Sequence, residues 1–370
     1  MGARIGILLS VLLSAGPVSA SDLPLETLSL PPGFAIEVYI DGVDGARQMA
    51  LGDKGTLFIG TRHPGKVYAV QDSDGDGVPD SVRTVSEGLT QPSGVAFKQG
   101  DLYVSEVSRI LRYSNIEEQL NAGDEVHHSV FYDGLPSEQA HGWKYIDFGP
   151  DGYLYTTVGG SCNACEEPLP FASILRITPD GGEHEIYARG VRNSLGFDWH
   201  PQTGRMWFTD NGRDMLGDNL PSCELNRLSR PGGHFGYPYF HAGDVRDPEL
   251  GEGKNPADYT PPAARLGAHV SPLGLMFYEG DAFPEKYRHL FIAEHGSWNR
   301  SKKTGYRVKM AVIENGEVSA YQPFIEGWLN EDESFWGRPV ALLSLADGSV
   351  LVSDDYAGVV YRVTYDLEGR

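Results

Sequence analysis

The sequence predicts an all-β chain folded as a six-bladed β-propeller. Six segments repeat one phrase, a turn followed by a strand of large apolar residues that ends in small or acidic ones. The units recur about every 45 to 60 residues, with one longer gap, which suits four-stranded blades. The 46 glycines and 24 prolines, with no sustained helical heptads, suit many strands joined by many turns.

Residues 1–20, "MGARIGILLSVLLSAGPVSA", come first. Arg4, the apolar run from Ile5 to Leu13 and the small-residue end Val18-Ser19-Ala20 read as a secretory signal peptide cut after Ala20. The run is too short to span a bilayer, as is every later apolar stretch. Residues 21–370 are then expected to form one propeller domain, periplasmic or secreted, with no membrane insertion. Losing Arg4 takes the formal charge of −21 to about −22. Such acidity argues against a nucleic-acid partner, whose phosphates need a basic surface. It leaves room for an anionic small ligand held by a local cluster of Arg and Lys.

The units follow in order: "KGTLFIGTRHPGKVYAV" from Lys54, "QGDLYVSEVSRILRY" from Gln99, "DGYLYTTVGG" from Asp151, "TGRMWFTDNGRD" from Thr203, "RHLFIAEHGSWNR" from Arg288 and "DGSVLVSDDYAGVVYRV" from Asp347. Most are preceded by an apolar strand such as "PSGVAF", "WKYIDFGP", "SLGFDWHP" or "PVALLSLA". "SNIEEQLNAG", near Ser114, is expected to form a short helix. The stretch from Asp214 to Leu273, rich in Gly, Pro and charge, reads as loops over one face.

Within the first unit, "QDSDGDGVPD" puts Asp72, Asp74, Asp76, Gly77 and Asp80 where a calcium loop has positions 1, 3, 5, 6 and 9. Position 12 is Arg83 rather than the bidentate Glu, and the flanks read as strand, so this is no EF-hand sensor. Two readings stay open, a bare acidic hairpin loop and a weak structural calcium loop, both on outer strands. Three cysteines in an export context suggest a Cys162–Cys165 disulfide pinning a loop, with Cys223 left free and buried. "CNACEE" lacks the His of a haem-attachment motif.

In a propeller the innermost strands converge on a channel, so residues before them carry the chemistry. His141 stands before "WKYIDF", Arg192 and Asn193 before "SLGFDW", and Arg338 before "PVALL"; the fifth unit adds Arg300, Lys302 and Lys303. A lone His or Arg would be an ordinary surface or core residue. Several cations at corresponding places of a cyclic repeat, in an acidic chain, predict a cationic funnel for a polyanion.

These phrases resemble the soluble quinone-dependent glucose/sorbosone dehydrogenases, whose cofactor is pyrroloquinoline quinone (PQQ). The resemblance runs from "LPPGFAIEVYIDGVDGARQMAL" to "GVVYRV". It is most specific in "HGWKYIDFGPDGYLYTTVGG", "ARGVRNSLGFDWHP", "ELNRL" and "HGSWNRSKKTGY", and it is nearest the sorbosone and pyranose dehydrogenase-like branch. It implies a six-bladed propeller, with His141 as catalytic base. Arg192, Asn193, Arg338 and Gln91 would contact the quinone, together with one of Lys303, Lys302, Arg300 and His295. "TDNGRD" resembles the loop whose backbone carbonyls hold calcium, implying Gly212 and Arg213, and Glu224 resembles an acidic residue of the same region. The implied reaction oxidises an aldose or sugar aldehyde at C1. Its proton goes to His141, Arg192 stabilises negative charge on the reduced quinone, and an external quinone or cytochrome takes the electrons. Two alternatives use the same fold. One is a calcium-dependent lactonase built on Asp210, Asn211 and Asp354, which leaves the cations unexplained; the other is an exported binding propeller without catalysis.

Overall fold

The computed structural model describes residues 22–123 and 125–366; the predicted signal peptide lies outside the described residues. Six antiparallel blades of four strands form the ring, the third extended by a short fifth strand. Blade one is Ala46–Leu51, Leu57–Thr61, Val67–Gln71 and Ser81–Ser86. Blade two is Gly94–Lys98, Asp101–Ser105, Ile110–Tyr113 and Ser129–Tyr132. Blade three is Ile146–Phe148, Leu154–Val158, Ser173–Ile177 and His184–Arg189. Blade four is Phe197–Trp199, Met206–Asp210, Ser222–Arg227 and Ala264–Ala268. Blade five is Pro272–Phe277, Leu290–Glu294, Arg307–Glu314 and Glu317–Ile325.

Blade six takes three strands from the end of the chain, Pro339–Ser344, Val350–Asp354 and Val359–Tyr365, and its outermost from the beginning, Phe34–Ile40. The closing pair is antiparallel, with Phe34 opposite Tyr365 and Val38 opposite Tyr361. Phe34 also meets Phe283, Tyr287 and Phe324 of blade five at ring separations of 4.8, 4.9 and 5.0 Å. Edge-to-face contacts of this kind add to the burial that holds the ring shut. Between blades the second and third strands present buried faces, including the fully buried Phe58, Trp207 and Tyr361, and Trp328 is fully buried between blades five and six.

The expected helix is present as Ile116–Ala122, and Glu117 on it is buried and accepts the backbone N–H groups of Lys54 and Thr56. The acidic segment 72–80 joins the third and fourth strands of blade one, as expected. The stretch from Asp214 to Leu273 differs from expectation. It holds two full strands of blade four, a two-residue strand Gly233–His234 added in parallel to blade three, and a small hairpin, Phe240–His241 with Val245–Arg246. "SCELNR" and "ARLGA" lack the β-branched and aromatic residues that announce a strand, and tertiary pairing overrides that weak local preference.

Side-chain bonds between blades fix the segments that approach the channel. Gln48 of blade one donates to the carbonyl of Ile146 (2.6 Å) and accepts from its N–H (3.1 Å). Ser93 donates to Lys144 O, Thr209 to Leu273 O and Ser353 to Arg47 O. Buried and satisfied, these bonds specify where each inner strand begins.

Candidate active site

Two chain positions per blade feed one end of the channel. One is the start of the inner strand or the segment leading into it, which supplies Arg47, His141, Arg192, Asn193 and Arg338. The other is the residue immediately after the second strand, which is Arg62, Glu106, Gly159, Asn211, His295 and Asp355 in blades one to six. A cavity of about 280 Å³ opens there. Arg47, Arg62, Arg192 and Arg338 line it with His141 and His295, and Trp143 and Trp298 form part of its wall. Four guanidiniums converge on one cavity in a chain of formal charge −21.

His141 has φ +49°, a left-handed conformation that side chains other than glycine adopt at some cost. Its Nδ1 lies 2.6 Å from the carbonyl of Gly160, which can only accept, so Nδ1 carries the proton and Nε2 is the basic nitrogen. Gly159 makes this packing possible: a Cβ there would sit 2.6 Å from His141 Cβ and 2.8 Å from its carbonyl. Burial, and then the charge of Arg192, lowers the imidazole from 6.5 to about 4. His141 is therefore a neutral proton acceptor through the physiological range.

Arg192 is almost fully buried and nearly used up. Its Nε donates to Asn163 O (2.9 Å), Nη1 to Asn211 O (3.2 Å), and Nη2 to Asn163 Oδ1 and Asp214 Oδ2 (both 2.9 Å). Four of its five N–H groups are bonded within the protein, so it acts as a fixed positive point rather than an open fork. Below it, Asp210 accepts the N–H groups of Arg192 and Asn193, which sets the loop that carries them.

The opposite wall is built on Asp355. It takes Arg47 Nη1 and His295 Nε2, both at 2.7 Å, on its two oxygens. Burial opposes its ionisation, but the His295 bond and the Arg47 and Arg338 charges outweigh it and hold its carboxyl far below the ordinary range. His295 itself is lowered to about 4 by burial, so it is neutral and donates its N–H to the carboxylate. Arg338 donates to the carbonyls of His295 (3.0 Å) and Gly296 (2.9 Å). Arg62 is different: its Nε is buried with no hydrogen-bond partner among the described residues, and its guanidinium stacks 3.4 Å over Trp143. Burial and the Arg47 charge bring it down only to about 10, so it stays cationic.

Of the residues singled out in the sequence, His141, Arg192, Asn193, Arg338, Gly212 and His295 line this cavity, as does Asn211 of the lactonase alternative. Gln91, Arg300, Lys302, Lys303, Arg213 and Glu224 do not. Gln91 precedes the inner strand of blade two, and its Oε1 is buried without a partner. Arg300 donates to Asn219, and Lys303 Nζ to the carbonyl of Glu333 at 2.6 Å. The Arg213 side chain turns away, onto Asp247 and Glu249. Glu224 sits with Asp210 and Tyr237 around a smaller neighbouring void and accepts from Ala242 N and Asn226 Nδ2. The expected disulfide joins Cys162 and Cys165, and Cys223 is free and buried on the cavity wall.

Sequence reading missed Arg47, Arg62, Asp214, Trp143, Trp298 and Asp355. The signal for two of them was present, since Arg62 and Asp355 directly follow the strand within the repeated phrase, as Asn211 and His295 do. The carboxylates of the lactonase alternative are engaged elsewhere. Asp210 holds the Arg192 loop, and Asp354 takes Tyr356 N, Ala357 N and the Tyr361 hydroxyl. Neither lines the cavity. Among the described residues the clustered potential metal ligands lie elsewhere, at Asp72, Asp74 and Asp80 and at the disulfide with Glu167.

Residues 44–295 match the family model described as glucose/sorbosone dehydrogenase, and residues 251–366 match one described as TrAA12-like. An uncharacterised protein of Borreliella burgdorferi is 33% identical over 368 residues, covering 96% of this chain and 95% of that one. Among solved structures, the holo PQQ domain of pyranose dehydrogenase from Coprinopsis cinerea superposes with a TM-score of 0.76 at 18% identity, covering 91% of this chain and 97% of its own. The calcium structure of a Trichoderma reesei carbohydrate-active enzyme of family AA12 gives 0.77 at 18% identity, covering 92% and 97%. At such identities these two structures establish the shared fold.

Proposed function

The chain belongs to the glucose/sorbosone dehydrogenase family, and on that premise we propose that it is a PQQ-dependent oxidoreductase acting on an aldose or sugar aldehyde at C1. The observation that carries the reading is the convergence of Arg47, Arg62, Arg192 and Arg338 on one cavity beside a histidine that is neutral and properly tautomerised.

The residues fit the cofactor. PQQ is flat and bears three carboxylates, and the cavity offers indole walls together with guanidiniums whose donors are not all spoken for. The orphaned Nε of Arg62 is a buried donor without an acceptor, a costly arrangement unless a ligand completes it. Arg62, Arg338 and Arg47 would hold the carboxylates, and the one free N–H of Arg192 would face developing negative charge. Among the described residues the carbonyls of Gly212 and Arg213 accept no hydrogen bond, and both would be available as oxygen ligands for calcium. When bound, PQQ would supply an ortho-quinone that accepts hydride, and calcium a Lewis acid at a quinone oxygen.

His141 Nε2 would accept the substrate's hydroxyl proton as the C–H bond breaks, with Gly160 O holding the ring in the required tautomer. Trp298, 68% exposed at the rim, offers the apolar face that a sugar ring stacks on. Electrons would pass to an external quinone or cytochrome. Export rests on the signal-peptide reading, and no helix among the described residues is long and apolar enough to cross a membrane.

The test is dye-linked reduction by purified apoprotein, with PQQ and calcium added against a panel of aldoses and sugar aldehydes. Activity that needs both additions and is lost in His141→Ala is the expected result. Silence across the panel, with no quinone absorbance retained after desalting, overturns the reading.

A further inference from the structure

The disulfide loop has a second feature besides its bridge. Asn163, between the two cysteines, makes four hydrogen bonds, all to the segments that carry Arg192 and Asp214. Its carbonyl accepts Arg192 Nε and its Oδ1 accepts Arg192 Nη2, each at 2.9 Å. The same Oδ1 accepts Asp214 N at 2.8 Å, and Nδ2 donates to Asp214 O at 3.1 Å. Asp214 in turn binds Arg192 Nη2 (2.9 Å) and Asn299 Nδ2 (2.6 Å), which brings in the rim loop of blade five.

The loop itself is anchored at its backbone. Cys165 N donates to the Tyr237 hydroxyl (3.3 Å), which donates to Cys162 O (3.4 Å), and the Ser161 N–H is held by Glu167. A bridge spanning a sequence separation of 3 restrains the unfolded chain little, because loop-closure entropy grows with loop length. Its effect must be mainly local, and what it holds still is Asn163. Without that restraint, a segment following Gly159 and Gly160 would have to order itself to make four bonds, against the entropy of a flexible loop.

We infer that Asn163 is a positioning residue. The Cys162–Cys165 bridge fixes it, and its carboxamide and carbonyl lock the Arg192 guanidinium in one orientation at the cavity. The clamp stands on geometry alone; only its consequence for ligand binding rests on the function proposed above. The bridge thus serves the site directly: Asn163 takes two N–H groups of the Arg192 fork and, with those taken by Asn211 and Asp214, leaves one free.

The decisive measurement uses apoprotein labelled with ¹⁵N-arginine, with the Arg192 Nε–H signal assigned by its loss in Arg192→Lys. In the native protein that proton should exchange slowly. In Cys162→Ser/Cys165→Ser it should exchange about tenfold faster or more, and likewise in Asn163→Ala, where the backbone acceptor of this proton remains but the carboxamide bonds to Arg192 Nη2 and to Asp214 that hold the segment in place are gone. The Arg338 Nε–H, bonded to His295 O, should not change. Asn163→Asp, which keeps the acceptor, should recover most of the protection. Equal protection of Arg192 in the native protein and in Asn163→Ala overturns the inference, and that variant decides alone should the double cysteine variant fail to fold. Titration of PQQ into the same proteins should show affinity falling about tenfold in Asn163→Ala with melting temperature nearly unchanged. If the native protein binds no PQQ, the proposed function fails while the arginine signal still decides the clamp.

Discussion

The two ends of the channel are built from the same inner strands and could hardly differ more. At one end, four arginines surround a cavity of about 280 Å³. At the other, a cavity of about 370 Å³ is lined by Asp147, Asp198 and Glu279 among apolar side chains, with no Lys, Arg or His. The larger void carries the less persistent charge, and the reason is chemical. Burial pushes Asp147 up to about 6 and Asp198 up to about 7, so these acids reduce their charge by holding protons. The arginines have no such escape at any working pH and need an anion. Fixed charge at one end and titratable charge at the other suit the first to holding an anion and tie the second to pH-dependent stability.

The largest expected effect lies at the cationic end. His141→Ala should lower turnover by roughly 10²- to 10⁴-fold, the usual worth of a general base, while PQQ affinity measured by absorbance titration stays within a few-fold. Equal losses in turnover and affinity would assign His141 to binding instead. Next comes Arg62→Ala, which should weaken PQQ about tenfold or more. It should also leave the apoprotein's melting temperature unchanged or raise it, since it removes a buried charge stacked on Trp143 rather than paired with a carboxylate. A clear drop in melting temperature would mean that Arg62 is structural.

pH separates the two ends further, with opposite signs. His141 has a folded pKa near 4 against 6.5, so the unfolded chain protonates first. Its contribution to stability is complete above about 6.5 and declines as pH falls toward 4. Asp198 is the reverse, near 7 against 3.8, so its contribution is complete below about 4 and is lost as pH rises through 7. Melting temperature followed from pH 4 to 8 should therefore lose part of its acid-side decline in His141→Ala and part of its alkaline-side decline in Asp198→Asn. Only the first variant should affect turnover. In the native enzyme, kcat/KM should stay level well below pH 6.5. Arg192→Gln should shift the acid limb upward, because removing a neighbouring positive charge favours the imidazolium.

How much of this contrast was legible in the sequence follows from what sequence encodes well. The repeated phrase gave the blades, because alternating burial in a strand leaves a pattern every second residue. His141, Arg192, Asn193 and Arg338 stood out because each precedes an inner strand, and chain order alone fixes that position. Where Arg300 and Lys303 point was not legible, because charge can be read from a sequence but side-chain direction cannot: one turns to Asn219, the other to Glu333. Asp355 and Asp214 were invisible as partners, since pairing to Arg47 and Arg192 spans 308 and 22 residues. The acidic end was hidden for the same reason, its carboxylates arriving singly on separate strands.

The smallest effect is expected furthest from both ends. In the 72–80 loop, Asp72 accepts the N–H groups of Gly75 (2.7 Å) and Gly77 (2.8 Å), and Arg362 donates to Gly77 O, so the loop is held without Asp74 or Asp76. Those two make one local turn bond each, to the N–H groups of Asp76 and Val78, which a serine hydroxyl can replace. Asp74→Ser/Asp76→Ser should thus leave dye-linked turnover within about twofold and cost at most a few degrees in melting temperature, with or without calcium. A loss of turnover that added PQQ and calcium cannot restore would tie this outer loop to the cationic end. The contrast between the two mouths would then no longer be a property of the channel alone.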